Sequence, residues 1–587
     1  MTLESRLDAL SQGWRGPLFA ALVALIAGLP GLFAMPPLDR DESRFAQATS
    51  QMLETGDYVV IKFQDQPRFK KPVGIHWLQA VSVKTLSDAE ERRIWAYRIP
   101  SLLGAMLAAA ACAWGAAALL GPRAGLIAGS ILGATFLLSS EAFIAKTDAA
   151  LCGTTTLAMA ALARIYAAQL RGESAGKLTK FAFWLGLSLA ALIKGPVGML
   201  TVFMALAALT IWDRKVRWLK DLGWTWGLIL FAAVVLPWAM MITVATDGAF
   251  WGAAVGADLA PKMVGGQEGH AGPFGYHALL SPLLSFPATI LLPAGLVVAW
   301  TRRKDPGVRF AVCWLVPTWL MFELLPTKLV HYALPAYGAL AMLMAAALRE
   351  PLGRLVRWLG GGLSVLMGAL LAAVAIYGQK EFGTTNDLGW TIVAAGFALA
   401  AGIAGAVLVV RRHAARALFV AGSLGISAHI ALTAGLIPRL EPLFLSRDLA
   451  QALDQARLSP RSGAPGPVAV TGYAEPSLIF QLGTTTQLTD GEGAANAIAE
   501  GRPAIVEDRE EKPFRAAMGQ LGLAPRPVTT VEGLNYSDGD QERLTIYRGE
   551  PLAPAEDAME PNEPALNEPA PTNPPRSRSD EPLHPDR

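Results

Sequence analysis

The chain has 587 residues, of which 52% are hydrophobic and 17% charged. Soluble domains carry about 25% charge, so this composition excludes an ordinary soluble protein and indicates a polytopic membrane protein. The net charge of +2 says little, because its distribution matters more. The three cysteines, Cys112, Cys152 and Cys313, lie in or beside apolar stretches and read as small buried hydrophobes, not as a disulfide or metal framework.

Apolar stretches of about 20 residues are spanning candidates. About thirteen occur, at 17–35, 99–120, 122–140, 148–168, 181–194, 196–212, 223–245, 283–301, 308–325, 332–348, 359–377, 389–410 and 416–437. The first is followed by Pro36-Pro37-Leu38-Asp39 and not by a small-residue cleavage site, so it reads as a retained span. With the N-terminus in the cytoplasm, nearly every basic loop falls inside: 171–180, 212–220, 301–304, 349–357 and 411–416. The exception is the first outer loop, 36–98, which carries Arg44, Lys62, Arg68, Lys70, Lys71 and Lys84. A basic loop that breaks the rule reads as a site.

That loop opens with Leu38-Asp39-Arg40-Asp41-Glu42-Ser43-Arg44-Phe45. Apolar or small residues at 45, 46, 48, 49, 52 and 53 predict a helix over 42–54, ended by Gly56-Asp57. Residues 58–63 are strand-like, and 73–86 predict a second helix. Both helices read as amphipathic elements along the membrane surface. Asp39, Asp41 and Glu42 are candidate general bases for a sugar hydroxyl that must lose a proton; as an alternative, they cap the following helix. Arg68, Lys70 and Lys71 are candidate phosphate ligands, or else an anchor to anionic headgroups.

Three further outer-face segments repeat the theme: 140–148, with Lys146 and Asp148; Lys194-Gly195-Pro196; and 326–335, with Lys328 and Tyr332. A lone lysine at a span end ordinarily snorkels. Several on one face with the acids suit an anionic phosphate leaving group. The fourth outer loop, 246–282, holds Asp258, Glu268, His270 and His277. It reads as a mobile lid or acceptor loop; a zinc site is the lesser alternative, since no familiar ligand spacing surrounds the histidines.

From 441 the composition becomes that of a soluble domain. A helix is expected over 448–457, strands at 467–471 and 503–506, a helix over 510–521 and a strand at 542–547. This predicts a small α/β domain over 441–550, outside the membrane with an odd number of spans. Residues 551–587, rich in Pro and Glu, lack the apolar residues to build a core and read as disordered.

The motifs Asp41-Glu42-Ser43-Arg44-Phe45-Ala46, Met52-Leu53-Glu54-Thr55-Gly56-Asp57, Phe69-Lys70-Lys71-Pro72, Lys146-Thr147-Asp148, Lys194-Gly195-Pro196 and Thr327-Lys328 through Tyr332 to Pro335 resemble those of bacterial lipid-dependent glycosyltransferases. The family is the aminoarabinose transferase and protein mannosyltransferase superfamily. The resemblance covers about 15–440 and implies a GT-C membrane fold in the inner membrane, with catalysis on the periplasmic face. It implies a polyprenyl-phosphate sugar donor, an acceptor such as lipid A, and inversion at the anomeric carbon. Asp41 maps to the family's leading carboxylate, with Glu42 or Asp148 assisting. The resemblance places Lys71, Asp148, Lys194, Lys328 and Tyr332 around the donor phosphate and acceptor, and Arg44 and Lys70 join them as candidate phosphate ligands from the first outer loop. Aminoarabinose transferases typically have Phe-Glu-Lys-Pro where this chain has Phe69-Lys70-Lys71-Pro72. The departure weakens both a metal and an amino sugar, and favours an acidic or neutral sugar.

The expectation is therefore a mainly α, polytopic GT-C glycosyltransferase with a catalytic domain over 1–440. It needs no cofactor and no nucleic acid, and its partners are the lipid-linked donor, an envelope acceptor and membrane lipids. The rival acceptor is a secreted protein. A transporter would carry internal repeats and mid-membrane charges, neither of which is seen, and a catalytically dead scaffold with an outer sensing domain is the remaining alternative.

Overall fold

The computed structural model describes residues 8–261 and 271–550, apart from the side chains of Asp258 and Leu259. Glu268, His270 and the tail 551–587 lie outside the described residues. Among the described helices, nine are long and apolar enough to cross a membrane: Arg15–Ala34, Ile94–Leu120, Asp148–Leu170, Pro196–Asp213, Trp224–Ala245, Pro306–Leu324, Arg354–Phe382, Thr385–Val410 and Ala414–Arg439. Tyr276–Leu284 and Ala288–Thr301, bent by 118°, make a tenth if counted as one span.

Length and composition thus support nine or ten spans where thirteen were expected. The other expected segments are helical but fall short for physical reasons. Pro122–Ala134 breaks at Thr135 before the six-residue helix Phe136–Glu141. Lys177–Lys194 carries three lysines, and Leu334–Ala347 is short.

The expected basic connections are tied together on one face. Lys180 pairs with Asp221 at 2.5 Å, Arg349 with Asp305 at 3.2 Å, and Arg309 and Arg302 with Asp213 and Glu350. The other helix ends carry the 36–93 loop, the 141–148 turn, Lys194-Gly195-Pro196 and the 325–335 turn. Gly195 sits at φ +62° and ψ −132°, open in practice only to glycine, and Pro196 starts the next helix. The chain therefore reverses without a loop and leaves Lys194 at that face. Small residues let the helices approach closely: a Cβ on Gly153 would lie 2.4 Å from the Gly104 carbonyl oxygen, which joins Asp148–Leu170 to Ile94–Leu120.

In the first loop, the helices Asp41–Thr55 and Gly74–Leu86 flank a two-residue hairpin, β1 (Lys62–Phe63) with β2 (Gln66–Pro67). Asp41–Thr55 is not a half-exposed surface helix. Its polar residues Ser43, Gln47, Thr49, Ser50 and Gln51 are all buried, because other elements cover its polar face. Thr49 Oγ1 donates to Gln79 Oε1 at 2.7 Å, and Gln51 is doubly bonded to the Gln64 backbone.

The C-terminal residues form one mixed five-stranded sheet in the order β4-β3-β5-β7-β6. The strands are β3 (Ala469–Thr471), β4 (Gln487–Leu488), β5 (Ala504–Glu507), β6 (Pro527–Asn535) and β7 (Asp540–Tyr547). β3 runs parallel to β4 and β5, whereas β7 is antiparallel to both β5 and β6. The helices Leu445–Gln455 and Pro476–Leu482 bring Leu449, Leu453 and Leu478 to one apolar layer; Gly491–Ala499 and Glu511–Gln520 bring Ile498, Phe514 and Met518 to another. The three expected strands are β3, β5 and β7. β4 and β6 were not expected, being two residues long and mostly exposed, respectively.

Candidate active site

Asp41 is the first residue of its helix and is exposed. It lines a cavity of about 550 Å³, large enough for a sugar and a phosphate. The same cavity is lined by Arg44, Lys70, Lys71, Asp148, Lys194 and Tyr332. These seven residues singled out from the sequence are brought to one place, although they come from five separated stretches of chain. Arg68 also lines it, its guanidinium 4.9 Å from the centre of the Phe45 ring.

Glu42 does not join them. It is 1% exposed, and both its oxygens are committed. Arg98 donates to them from Nε at 2.8 Å and from Nη2 at 2.7 Å, and the amides of Leu38 and Ala145 donate at 2.8 and 2.7 Å. Arg98 is itself fully buried and donates to the carbonyls of Leu32, Met35 and Pro36. A carboxylate so saturated has no free lone pair for a substrate proton. Glu42 is an anchor joining the Asp41 segment to the 141–148 turn, so its expected assisting role does not fit its placement.

Asp148 is buried among cations. Lys194 Nζ lies 2.5 Å from its Oδ1, while Lys146 Nζ and His331 Nε2 lie 3.9 and 3.6 Å from Oδ2. Lys146 also pairs with Glu141 at 3.0 Å and reaches His331 Nδ1 at 3.2 Å. Burial pushes the His331 ring down to about 3, helped by Lys146 and Lys194 against Asp148, so it is neutral and its Nδ1 accepts from Lys146. Burial opposes the charge on Lys146, but Glu141, Asp148 and Asp41 overcome it and raise its pKa. The cation of this network is therefore fixed, and Asp41 lies within its electrostatic reach. Lys194 also stands 5.5 Å from the centre of the Tyr332 ring. Glu141, Asp148 and His331 have metal-ligand spacing. The Lys146 ammonium already sits against Glu141 and His331, so this donor set fits a lysine.

Two expected residues belong elsewhere. Lys328 is 5% exposed and donates to the carbonyls of Phe322, Glu323 and Leu325 at 3.3, 2.8 and 2.6 Å. It caps the end of Pro306–Leu324, where a cation suits the unsatisfied carbonyls, and is not turned to the cavity. His277 is 1% exposed and lies against the Leu329 carbonyl oxygen at 3.1 Å, with Glu323 at 3.7 Å. It anchors its segment and does not serve as part of a lid.

Several cavity residues escaped the sequence reading. His331 stood within a motif already singled out. Phe250 and Trp251 resemble any apolar pair, and Tyr536 and Ser537 lie in the β6–β7 turn with no motif around them. Asp39, a candidate base from the sequence, lines the cavity, but its carboxylate is bonded by Ser477 Oγ. Burial, then the neighbouring Glu475 carboxyl, push Asp39 up to about 8.

Residues 38–248 match the family described as dolichyl-phosphate-mannose-protein mannosyltransferase. The chain is 26% identical over 386 residues to the undecaprenyl phosphate-alpha-4-amino-4-deoxy-L-arabinose arabinosyl transferase of Aeromonas salmonicida, covering 63% of this chain and 68% of that protein. It is 29% identical over 359 residues to the protein of that name from Pseudomonas aeruginosa, covering 59% and 63%. The crystal structure of ArnT from Cupriavidus metallidurans bound to undecaprenyl phosphate shares the fold, with a TM-score of 0.69 at 19% identity over 91% of this chain and 97% of that one.

Proposed function

We propose that this chain is a lipid-phosphate-sugar-dependent membrane glycosyltransferase, like the mannosyltransferase and aminoarabinose transferase proteins it matches, and that it moves one monosaccharide from polyprenyl (undecaprenyl) phosphate to an envelope glycolipid, lipid A foremost. The observation that carries this reading is the cavity where an exposed carboxylate, Asp41, meets Arg44, Lys70, Lys71 and Lys194.

In this reading Asp41 takes the proton of the acceptor hydroxyl as its oxygen bonds to the anomeric carbon. The bond from that carbon to the phosphate oxygen breaks, and the electron pair leaves with the lipid phosphate. Lys71, Lys194 and Arg44 balance the charge that develops there, an effect usually worth about 3–4 kcal/mol for each well-placed group. Tyr332 holds Lys194, and Asp148 serves as its counter-ion; Asp148 does not act as a second base. Attack opposite the leaving group inverts the anomeric carbon.

The reading extends to topology. The nine long helices, the bent pair taken as one span and the three shorter apolar segments make thirteen crossings in this reading; the basic connections then face the cytoplasm, and the cavity and the 441–550 domain face the periplasm of a bacterial inner membrane. Mass spectrometry of lipid A from cells with and without the gene tests the acceptor. Loss of one sugar mass in the deletion is expected. Unchanged lipid A with a sugar missing from secreted proteins would instead favour the protein acceptor suggested by the name of the matched family.

A further inference from the structure

We propose that Tyr536, in the β6–β7 turn of the C-terminal sheet, is a positioning residue for the transfer reaction: it fixes the Asp39–Arg40 turn from which Asp41 projects. The inference rests on the reading of Asp41 as the proton acceptor.

Arg40 sits at φ +58° and ψ −100°, a conformation that residues other than glycine rarely hold. Such strain persists only where the surroundings over-determine it. Here they do so from two sides. On the membrane side Glu42 accepts the Leu38 amide at 2.8 Å. On the other side the C-terminal domain supplies the partners. Tyr536 Oη accepts the Asp39 N–H at 2.7 Å, Ser477 Oγ bonds the Asp39 carboxyl, and Glu475 approaches the Arg40 guanidinium at 4.0 Å. Asn535, next to Tyr536, donates to Glu475 at 3.2 Å and accepts the Ser537 N–H at 3.1 Å, so the turn itself is braced.

The domain that carries Tyr536 is also clamped to the first loop at a distance from this contact. Thr484 Oγ1 is bonded by Gln47 and Arg92 at 2.8 Å each and donates to Glu54 at 2.6 Å. The Phe480 ring packs edge-on against Tyr97, with centroids 5.3 Å apart. The Tyr536 contact is therefore built on a fixed platform. Tyr536 also lines the same cavity as Asp41. Freeing the Asp39 amide lets the strained turn relax, and a shift of about 1 Å in a reacting group costs up to about a hundredfold in rate. Lys71, Lys194 and Tyr332 stand on other elements, so donor binding is left intact.

The test compares full-length wild type with Tyr536→Phe and Ser477→Ala in lipid nanodiscs, using a polyprenyl-phosphate sugar and lipid A. Two readouts are taken: the split between kcat and donor KM, and backbone hydrogen exchange of the segment 36–45. The expected result is a kcat at least tenfold lower with donor KM within twofold, and faster exchange in 36–45 with that of β3 and β5 unchanged. A kcat within twofold of wild type in Tyr536→Phe would overturn the proposal, and so would a low kcat with unaltered exchange. A wild-type protein inert toward polyprenyl-phosphate sugars would sink the reading of function instead, and the exchange data would still report whether Tyr536 holds the turn.

Discussion

Replacing Glu42 by alanine separates structure from chemistry at the two adjacent acids. The substitution strands the Arg98 guanidinium, which has no exposed surface, with only the carbonyls of Leu32, Met35 and Pro36. It also orphans the amides of Leu38 and Ala145. Breaking a buried pair by removing one partner costs about 3–5 kcal/mol. At roughly 2–4 °C per kcal/mol for a large domain, the unfolding midpoint should fall by about 6–20 °C. Glu42→Gln should fall less, because one amide oxygen still accepts. Asp41→Asn, at an exposed position, should stay within about 2 °C of wild type by the same surface-site reasoning. Thermal unfolding of the detergent-solubilised protein, followed by size-exclusion of the soluble fraction, measures all three. A Glu42→Ala protein as stable as wild type but inactive would refute the reasoning and return Glu42 to the chemistry.

Lys194 and Lys328 should part in the same way. Lys194→Met should lower kcat about a hundredfold by analogy with loss of a charge-stabilising donor; it also takes the 2.5 Å partner from buried Asp148, so some loss of midpoint accompanies the kinetic loss. Lys328→Met should lower the midpoint first, because it uncaps three buried carbonyls; equal kinetic losses in both would contradict this. Lys70→Glu should lower turnover with an acidic sugar donor relative to a neutral one, and unchanged preference in a competition assay would count against a role for Lys70 in sugar choice. Asp39, held up at about 8 by burial and Glu475 with Arg40 and Tyr536 beside it, ionises near 4 once undocked. Docking of its turn is therefore unopposed below about pH 4, weakens as pH rises toward 8, and levels off above. Hydrogen exchange of 36–45 between pH 5 and 9, corrected for intrinsic rates, should follow that course in wild type and lose the slope in Asp39→Asn.

The features legible in the sequence were those set by local chemistry and by parity. Apolar length located the long helices of the bundle but missed Tyr276–Leu284, which fell in the expected fourth outer loop, and alternation placed Lys71, Asp148, Lys194 and Tyr332 on one face with Asp41, where the cavity gathers them. Features that depend on a distant partner were not legible. Nothing near Glu42 announces Arg98, 56 residues on. Lys328 sits in a motif, yet it folds back on the carbonyls of the helix before it. The polar face of Asp41–Thr55 looked solvent-facing because the residues that bury it stand on other elements: Gln79 and Gln64 later in the same loop, and Thr484, 437 positions from Gln47. Tyr536 gave no signal because its role is a single hydroxyl on a backbone amide.

The central claim is that Asp41 activates the acceptor in a cavity that binds the lipid phosphate through other residues. The most direct measurement is release of free polyprenyl phosphate by purified wild type and Asp41→Asn, with donor binding measured on the same samples. The account predicts release by wild type only when acceptor is present, and an Asp41→Asn protein that binds donor within about threefold yet releases none above background. Release by Asp41→Asn at a rate within tenfold of wild type would contradict it.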